Sequence, residues 1–206
     1  MELGQHRLAA DVTVPPQAKG VVIFAHGSGS SRLSPRNRQV AARLNEAGYA
    51  TILFDLLTEE EALDRRNVFD IELLGRRMGE AVALARREPR LRGLPVGLFG
   101  ASTGAAAALV AAASPGAAIA AVVSRGGRPD LAPHALARVQ APTLLIVGGE
   151  DAPVIGMNEA ALRRMRCETR LEIVPGATHL FEEPGTLEQV VNLAVDWFDR
   201  HLRSAS

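Results

Sequence analysis

Short apolar runs of strand length alternate with amphipathic stretches along most of this chain. The apolar runs are an early one near 8–14, then VVIFA (21–25), ATILF (50–54), PVGLF (95–99), AIAAVV (118–123), TLLIV (143–147) and RLEIV (170–174). Helices are predicted between them, over 35–47, 69–87, 103–113, 131–138, 155–165 and 186–202. Strands that alternate with helices predict an α/β fold, with a mostly parallel central sheet and helices on both faces.

In a sheet of this kind, the residues that directly follow the strands deserve most scrutiny for function. The carboxyl ends of parallel strands meet at one edge, and ligands bind in the crevice beyond it. No long linker, repeat of fixed period or low-complexity tract divides the chain. A single domain over residues 1–206 is therefore predicted.

Charge and cysteine content limit the expected partners and location. The 23 basic residues balance the 23 acidic ones, which argues against nucleic acid or an acidic membrane as a partner. The N-terminal MELGQHRLAADV is too polar for a signal peptide, and the most apolar stretch is interrupted by Pro115 and Gly116. The one cysteine, Cys167, excludes an internal disulfide. A cytoplasmic protein with a small-molecule partner and no membrane span is predicted, and the oligomeric state is left open.

The segment GLFGASTGAAAAL places a serine at a sharp turn between a strand and a helix. Gly100, Ala101 and Gly104 are small, as the nucleophile elbow GxSxG requires around its serine, here Ser102. The alternative is a small-residue turn without a chemical role. Because the segment joins a buried strand to an alanine-rich helix, we favour a nucleophile. The N–H of Thr103, at the helix N-terminus, is then expected to stabilise an oxyanion.

A serine nucleophile needs a base, and the base needs a carboxylate to orient it. His179 follows the last strand and precedes the last helix, which makes it the predicted base among the five histidines. Asp151, just after a strand and a glycine pair, is the predicted acid, whereas the side chain of its neighbour Glu150 points away from that of Asp151. Asp130 is a second candidate acid, although capping the helix predicted at Leu131 explains it more simply.

A second oxyanion donor is expected from the segment VVIFAHGSGSS, where glycines follow an early buried strand. The N–H of Ser28 is favoured and that of Gly29 is close behind, while His26 is interpreted as a structural residue that holds the loop. A phosphate-binding loop is the competing interpretation. The segment lacks the lysine of GxxxxGK[ST] and is not directly followed by a helix, so we disfavour it.

Two further features concern the substrate. Arg125, just after a strand, either binds a substrate carboxylate or anchors the neighbouring loop through a salt bridge. The stretch 124–138 is too short for a helical cap, so an open site for small esters is expected, partly covered by residues 55–69. No histidine or carboxylate pair has the spacing of a metal site, and no cofactor is predicted.

Taken in order, HGSGSS, GLFGASTG, VSRGGRPDL, APTLLIVGGEDAPV and VPGATHLFEEPG resemble an α/β hydrolase of the dienelactone hydrolase type over nearly the whole chain. The resemblance implies an α/β hydrolase fold without a cap domain, with Ser102 as nucleophile, His179 as base and Asp151 as acid. Dienelactone hydrolases proper have a cysteine where this chain has Ser102. Similar domains also occur fused to phosphoribosyltransferase domains.

Together, the motifs predict a serine hydrolase that cleaves small carboxylic esters or lactones through an acyl-enzyme intermediate. Two alternatives remain open. The acyl group could be transferred to a thiol or alcohol instead of water, or the chain could be a non-catalytic binding domain on the same fold.

Overall fold

A mostly parallel sheet organises the computed structural model, which describes residues 2–4 and 6–202. Its eight strands lie in the order β1-β2-β4-β3-β5-β6-β7-β8 within the described residues. They are β1 (Glu2–Leu3), β2 (Leu8–Thr13), β3 (Val21–Ala25), β4 (Ala50–Phe54), β5 (Val96–Ala101), β6 (Ala121–Arg125), β7 (Thr143–Gly148) and β8 (Thr169–Val174). Pairing is antiparallel from β1 to β2 and from β2 to β4, and parallel across the rest of the sheet.

Helices pack on both faces of the sheet, which confirms the fold class predicted from the alternating pattern. They are α1 (Pro35–Glu46), α2 (Glu59–Ala62), α3 (Arg65–Val68), α4 (Ile71–Arg87), α5 (Thr103–Ala112), α6 (Ala152–Leu162) and α7 (Thr186–His201). Successive residues of a strand point to opposite faces of the sheet and pack into different hydrophobic cores. Ile23 packs in the core under α4 and α5, whereas Phe24 packs in the core under α1 and α7. The strands from β3 to β7 are buried at every residue, as expected for a sheet covered twice.

Helix α5 lies closest to the sheet centre, and all of its residues are buried. Its alanines let α4 approach closely, and a side chain on Gly75 of α4 would come within 2.4 Å of Val110. The alanine-rich sequence therefore serves packing. It also fixes the N-terminus of α5, where Ser102 lies, against the rest of the molecule.

The helix predicted over residues 131–138 is absent, so that prediction was wrong. The structure has two short 3₁₀ turns, Pro129–Leu131 and Leu136–Arg138. Pro133 explains the difference because the residue before a proline disfavours helical dihedral angles and the proline itself lacks an N–H. Helix α6 also begins three residues before the predicted start, at Ala152.

The connection from Asp55 to Phe69, here called the cover segment, contains two short helices that were not predicted. Thr58 and Glu61 form a capping box at the start of α2, and the Asp64 side chain accepts the N–H of Arg66 at the start of α3. No cap domain is inserted after β6 in the described part of the chain. Within residues 2–4 and 6–202, no helix has the length and apolar character needed to cross a membrane.

Candidate active site

The turn between β5 and α5 holds Ser102 in an unusual backbone conformation. Its φ is +52° and its ψ is −121°, a combination that few residues other than glycine adopt. The Ser102 N–H donates to the Arg125 carbonyl at 3.1 Å, and the Ser102 carbonyl accepts the N–H groups of Ala105 and Arg128, each at 3.1 Å. These bonds hold the strained turn in place, as expected for a nucleophile elbow.

Two glycines allow this turn to pack tightly. A Cβ on Gly100 would lie 2.4 Å from the Cα of Ala105, and one on Gly104 would lie 2.4 Å from the carbonyl oxygens of Ala25 and His26. Backbone meets backbone at both positions, so no side-chain adjustment could make room. The small residues of the motif are thus required by the close approach of β3, β5 and α5.

Ser102, His179 and Asp151 come together at the carboxyl edge of the sheet. The Nδ1 of His179 lies 2.6 Å from Oδ2 of Asp151, and its Nε2 lies 3.4 Å from Oγ of Ser102. An Nδ1–H that donates to the carboxylate leaves Nε2 free to accept the serine proton. The serine-to-imidazole distance is long for a hydrogen bond, which is common before substrate binds.

The loops after β7 and β8 support this arrangement through backbone contacts. The Gly149 N–H donates to the Val174 carbonyl at 2.8 Å, and the Glu150 N–H donates to the Ala177 carbonyl at 3.0 Å. A Cβ on Gly148 would lie 2.4 Å from the Ala177 carbonyl oxygen, so the two loops touch. Asp151 and His179 are therefore held together by their backbones as well as by their side chains.

His26 fixes the loop that follows β3. Its Nε2 accepts the Leu56 N–H at 3.1 Å, so Nδ1 carries the hydrogen and donates to the Gly27 carbonyl at 2.9 Å. Burial lowers the pKa of His26, although the bond to Gly27 and the charge of Asp55 oppose that effect. The ring is neutral at pH 7 and ties the loop to the end of β4, which agrees with the structural interpretation.

A hydrogen bond that the sequence did not reveal joins Ser28 and Thr103, the two predicted oxyanion donors. The Ser28 N–H donates to Oγ1 of Thr103 at 2.8 Å. Gly27 lies against the nucleophile, since a Cβ on Gly27 would be 3.2 Å from Cβ of Ser102. The Thr103 side chain therefore holds the loop beside the serine. Gly29 follows in an exposed position with a φ of +70°, a left-handed conformation that suits glycine.

A cavity of about 370 Å³ opens in front of Ser102, and we call it the serine cavity. Its lining includes Ser28, Asn37, Arg125 and His179. Burial and the nearby positive charge of Arg36 lower the pKa of Arg125 to about 10, so the guanidinium remains charged at pH 7.

Among the described residues, the Arg125 guanidinium has no counter-ion. Its Nη2 donates to Oδ1 of Asn37 at 3.4 Å, its Nε is buried without a hydrogen-bond partner, and no carboxylate of the described residues pairs with it. The alternative interpretation of Arg125 as a salt-bridge anchor is therefore wrong. A buried positive charge without a partner is costly, and an anionic ligand in the cavity would offset that cost.

Several other candidate residues lie away from this cluster. The Asp130 side chain caps no helix, and its two carboxylate oxygens accept from Arg128 at 2.9 and 2.8 Å. His134 pairs with Glu72 at 2.6 Å on the surface. Cys167 is half-buried near Thr169. In the described residues, no three or more His, Cys, Asp or Glu side chains are grouped to ligate a metal ion.

The carboxylates after His179 have a different role from the one expected of helix-start residues, since α7 begins only at Thr186. Glu183 accepts the N–H and the hydroxyl of Thr178 at 3.1 and 2.6 Å, and these bonds lower the pKa of Glu183. Glu182 pairs with Arg36 at 3.0 Å. Both glutamates fix the loop that carries His179.

Comparison with known proteins defines the class first. The fold is that of an α/β hydrolase, and the Anabaena variabilis dienelactone hydrolase matches with 56% identity and a TM-score of 0.94 over 98% of this chain and 95% of that one. Est1E from Butyrivibrio proteoclasticus matches with a TM-score of 0.82 over 97% of each chain, and at 16% identity this likeness concerns the fold alone. The family model for dienelactone hydrolases matches residues 7–202. This chain belongs to the dienelactone hydrolase family.

Curated relatives add information on context. Two proteins from Mycobacterium tuberculosis strains are 60% identical over 195 residues, which is 95% of this chain. Both carry the provisional name of phosphoribosyl transferase. This chain spans only 44% of their length, so that name describes proteins more than twice as long as the matching part.

Proposed function

We propose that this protein is a hydrolase that cleaves carboxylic esters or lactones through a serine nucleophile and an acyl-enzyme intermediate. The observation that carries the proposal is the continuous relay from the Asp151 carboxylate through the His179 ring to the Ser102 hydroxyl, with distances of 2.6 and 3.4 Å. The strained backbone at Ser102 supports it, because such strain persists where a position is fixed for function.

In the proposed mechanism, His179 accepts the Ser102 proton as the oxygen attacks the substrate carbonyl. Asp151 holds the Nδ1–H tautomer and stabilises the imidazolium that forms. His179 then donates its proton to the leaving alcohol as the carbon–oxygen bond breaks. Water repeats the same steps on the acyl-enzyme and releases the acid.

The negative oxygen of the tetrahedral intermediate is stabilised by the N–H groups of Thr103 and Ser28. The Thr103 N–H lies at the N-terminus of α5, where the helix dipole favours negative charge. The Ser28 N–H is bonded to the Thr103 hydroxyl in the free protein. In the proposed mechanism, it shares its hydrogen with the oxyanion in the transition state. The N–H of Gly29, on the same loop, is the alternative donor to that of Ser28.

Arg125 is the proposed substrate-binding residue of the serine cavity. Arg125 is 6% exposed and lacks a carboxylate partner among the described residues, and Arg36, which pairs with Glu182, lies nearby. An ester that carries a carboxylate on the part next to His179 fits this environment. Arg125→Met is expected to raise KM for carboxylated esters at least tenfold and to leave neutral esters unchanged.

A panel of esters and lactones of varied size and charge tests the proposal, with Ser102→Ala as the blank. The expected result is hydrolysis by the wild type and a loss of at least about 10³-fold in kcat for the variant. Adding hydroxylamine or a thiol measures acyl transfer against hydrolysis. Folded wild-type protein that hydrolyses none of the panel would instead favour a non-catalytic binding domain.

A further inference from the structure

A second cavity lies on the other side of the 27–30 loop from His179, and its chemistry differs from that of the serine cavity. It has a volume of about 320 Å³, and we call it the leucine cavity. Its apolar lining residues are Leu33, Leu56, Leu57, Ala62, Val68 and Leu74. The cover segment supplies most of this wall, and α4 supplies Leu74.

Two titratable groups that line the leucine cavity, His26 and Asp55, have partners within the protein, whereas Nε of Arg32 is buried without a hydrogen-bond partner in the described part of the chain. Both ring nitrogens of His26 are hydrogen bonded, to Leu56 N–H and to the Gly27 carbonyl. The Asp55 carboxylate accepts the N–H of Arg32 at 2.7 Å and its guanidinium at 2.5 Å. A ligand in this cavity therefore gains mainly by burying apolar surface.

The two cavities are separated by a ridge that a flexible chain could cross. Gly27, Ser28, Gly29 and Ser30 line both cavities, and none carries a large side chain. The residues from 28 to 30 are exposed, and nothing lies within 4 Å of a Cβ placed on Gly29. Thr103, the neighbour of the nucleophile, lines the leucine cavity directly.

The position of His179 decides which part of an ester enters each cavity. His179 lines the serine cavity, and it must protonate the leaving alcohol if the proposed mechanism holds. The alcohol part therefore lies on the side of His179 and Arg125. The carbonyl oxygen faces the N–H groups of Thr103 and Ser28, and the acyl part leaves the attacked carbon on the side away from His179, past the 27–30 loop.

From this geometry we infer that the leucine cavity is the acyl-chain subsite, which takes an unbranched aliphatic chain beyond the oxyanion loop. This inference rests on the proposed function, since it assumes attack by Ser102 and proton donation by His179. A methylene is about as large as a liquid water, about 30 Å³, so 320 Å³ holds a chain of at most roughly ten carbons. The substrate class is thus an ester of a short to medium fatty acid with a compact polar alcohol.

Two ester series on the wild-type protein test the subsite. With a constant p-nitrophenyl leaving group and acyl chains from acetate to decanoate, kcat/KM is expected to rise about three- to fourfold per methylene and then level off. With a constant acetyl group and alkyl alcohols of the same lengths, no such rise is expected. A flat acyl series, or a rise confined to the alcohol series, would overturn the inference even if acetate is hydrolysed.

Substitutions at Val68, which is half-buried at the end of α3 and outside the catalytic residues, localise the effect. Val68→Phe is expected to stop the rise at a shorter chain, whereas Val68→Ala keeps or extends it, and turnover of acetate should change less than that of the longer esters in both. Ala160→Phe, at an exposed helical position of α6, is the matched control. An acyl series that Val68→Phe leaves unaltered contradicts the subsite. A folded wild type that hydrolyses no ester overturns the proposed function and this inference together.

Discussion

The elbow after β5 and the cover segment after β4 leave the same edge of the sheet but are built in opposite ways. At the elbow, Gly100 and Gly104 bring backbone against backbone, and every residue of the following helix is buried. In the cover segment, neither α2 nor α3 contains a buried residue, and Leu63 is 85% exposed.

This difference separates two tasks. The reacting groups must keep their positions to within fractions of an ångström, and contacts between backbones provide that precision. The wall of the leucine cavity is held by caps and ion pairs, which can change without disturbing Ser102. We therefore expect substitutions near the elbow to affect turnover or folding strongly, and those in the cover segment to affect them weakly.

The largest expected effect is at the carboxylate that orients the base. Asp151→Asn removes the charge that stabilises the His179 imidazolium and favours the wrong tautomer, so kcat should fall by about 10³- to 10⁴-fold. The measurement is steady-state ester hydrolysis at pH 7. Asp130→Asn is the matched control and should stay within about twofold of wild type, since Asp130 pairs with Arg128 on the surface turn. Equal losses in both variants would mean that Asp151 has no special role.

A large effect on stability is expected at Gly104. The methyl group of Gly104→Ala would lie 2.4 Å from two carbonyl oxygens, so the backbone must move and unfolding should become easier by at least about 2 kcal/mol. Thermal unfolding measures this as a lower Tm. Gly79→Ala offers the opposite case, because Gly79 lies inside α4 with nothing within 4 Å of a Cβ. That variant should gain about 0.5–1 kcal/mol, and equal Tm values for the two variants would refute the close packing at the elbow.

A smaller effect is expected where the elbow meets the 27–30 loop. Thr103→Val removes the acceptor of the Ser28 N–H but keeps the shape of the side chain, so kcat should fall about fivefold with little change in KM, as loss of one hydrogen bond of ~1 kcal/mol implies. Thr103→Ser should recover most of the rate. A faster Thr103→Val variant would show that this bond competes with the oxyanion rather than positioning its donor.

The smallest expected effect is a pH dependence in the cover segment. Burial would raise the pKa of Glu61, but hydrogen bonding to the Thr58 N–H and pairing with Arg77 outweigh it, so the pKa lies below its usual 4.5. Because the folded pKa is lowered, the stabilisation is complete above pH 4.5 and is lost as the pH falls through the folded pKa.

Hydrogen exchange of the α2 amides, corrected for intrinsic rates, measures this loss between pH 6 and pH 3. Protection should decrease at low pH by under about 1 kcal/mol in the wild type. Glu61→Gln keeps the capping geometry without the charge, and its protection should vary less with pH. An identical pH response in both proteins would assign the loosening to other groups.

The elbow and the cover segment also differ in how well they could be predicted from the sequence. Buried strands and the elbow could be predicted because their signals are local: apolar runs, glycine spacing and an alanine-rich helix. The grouping of Asp151 and His179 could be predicted because both follow parallel strands of one sheet. The bond from Ser28 to Thr103 joins residues far apart in the chain, and no local pattern encodes it.

Failures occurred where short elements depend on details. Residues 131–138 have helical composition, but Pro133 prevents a continuous helix. Helices α2 and α3 have four residues each, too few for hydrophobic periodicity. The spacing of Thr58 and Glu61 was the available signal, since it fits a capping box. Whether Arg125 has a carboxylate partner could not be predicted from the sequence, because the answer depends on the side chains of every element around the serine cavity.

The central claim, that Ser102 is a nucleophile activated by His179, is tested most directly by labelling with a fluorophosphonate and mapping the adduct by mass spectrometry. The account predicts one adduct per chain on Ser102, no adduct in Ser102→Ala, and much slower labelling in a folded His179→Ala variant. An adduct on another residue, or no adduct on folded wild-type protein, would contradict it.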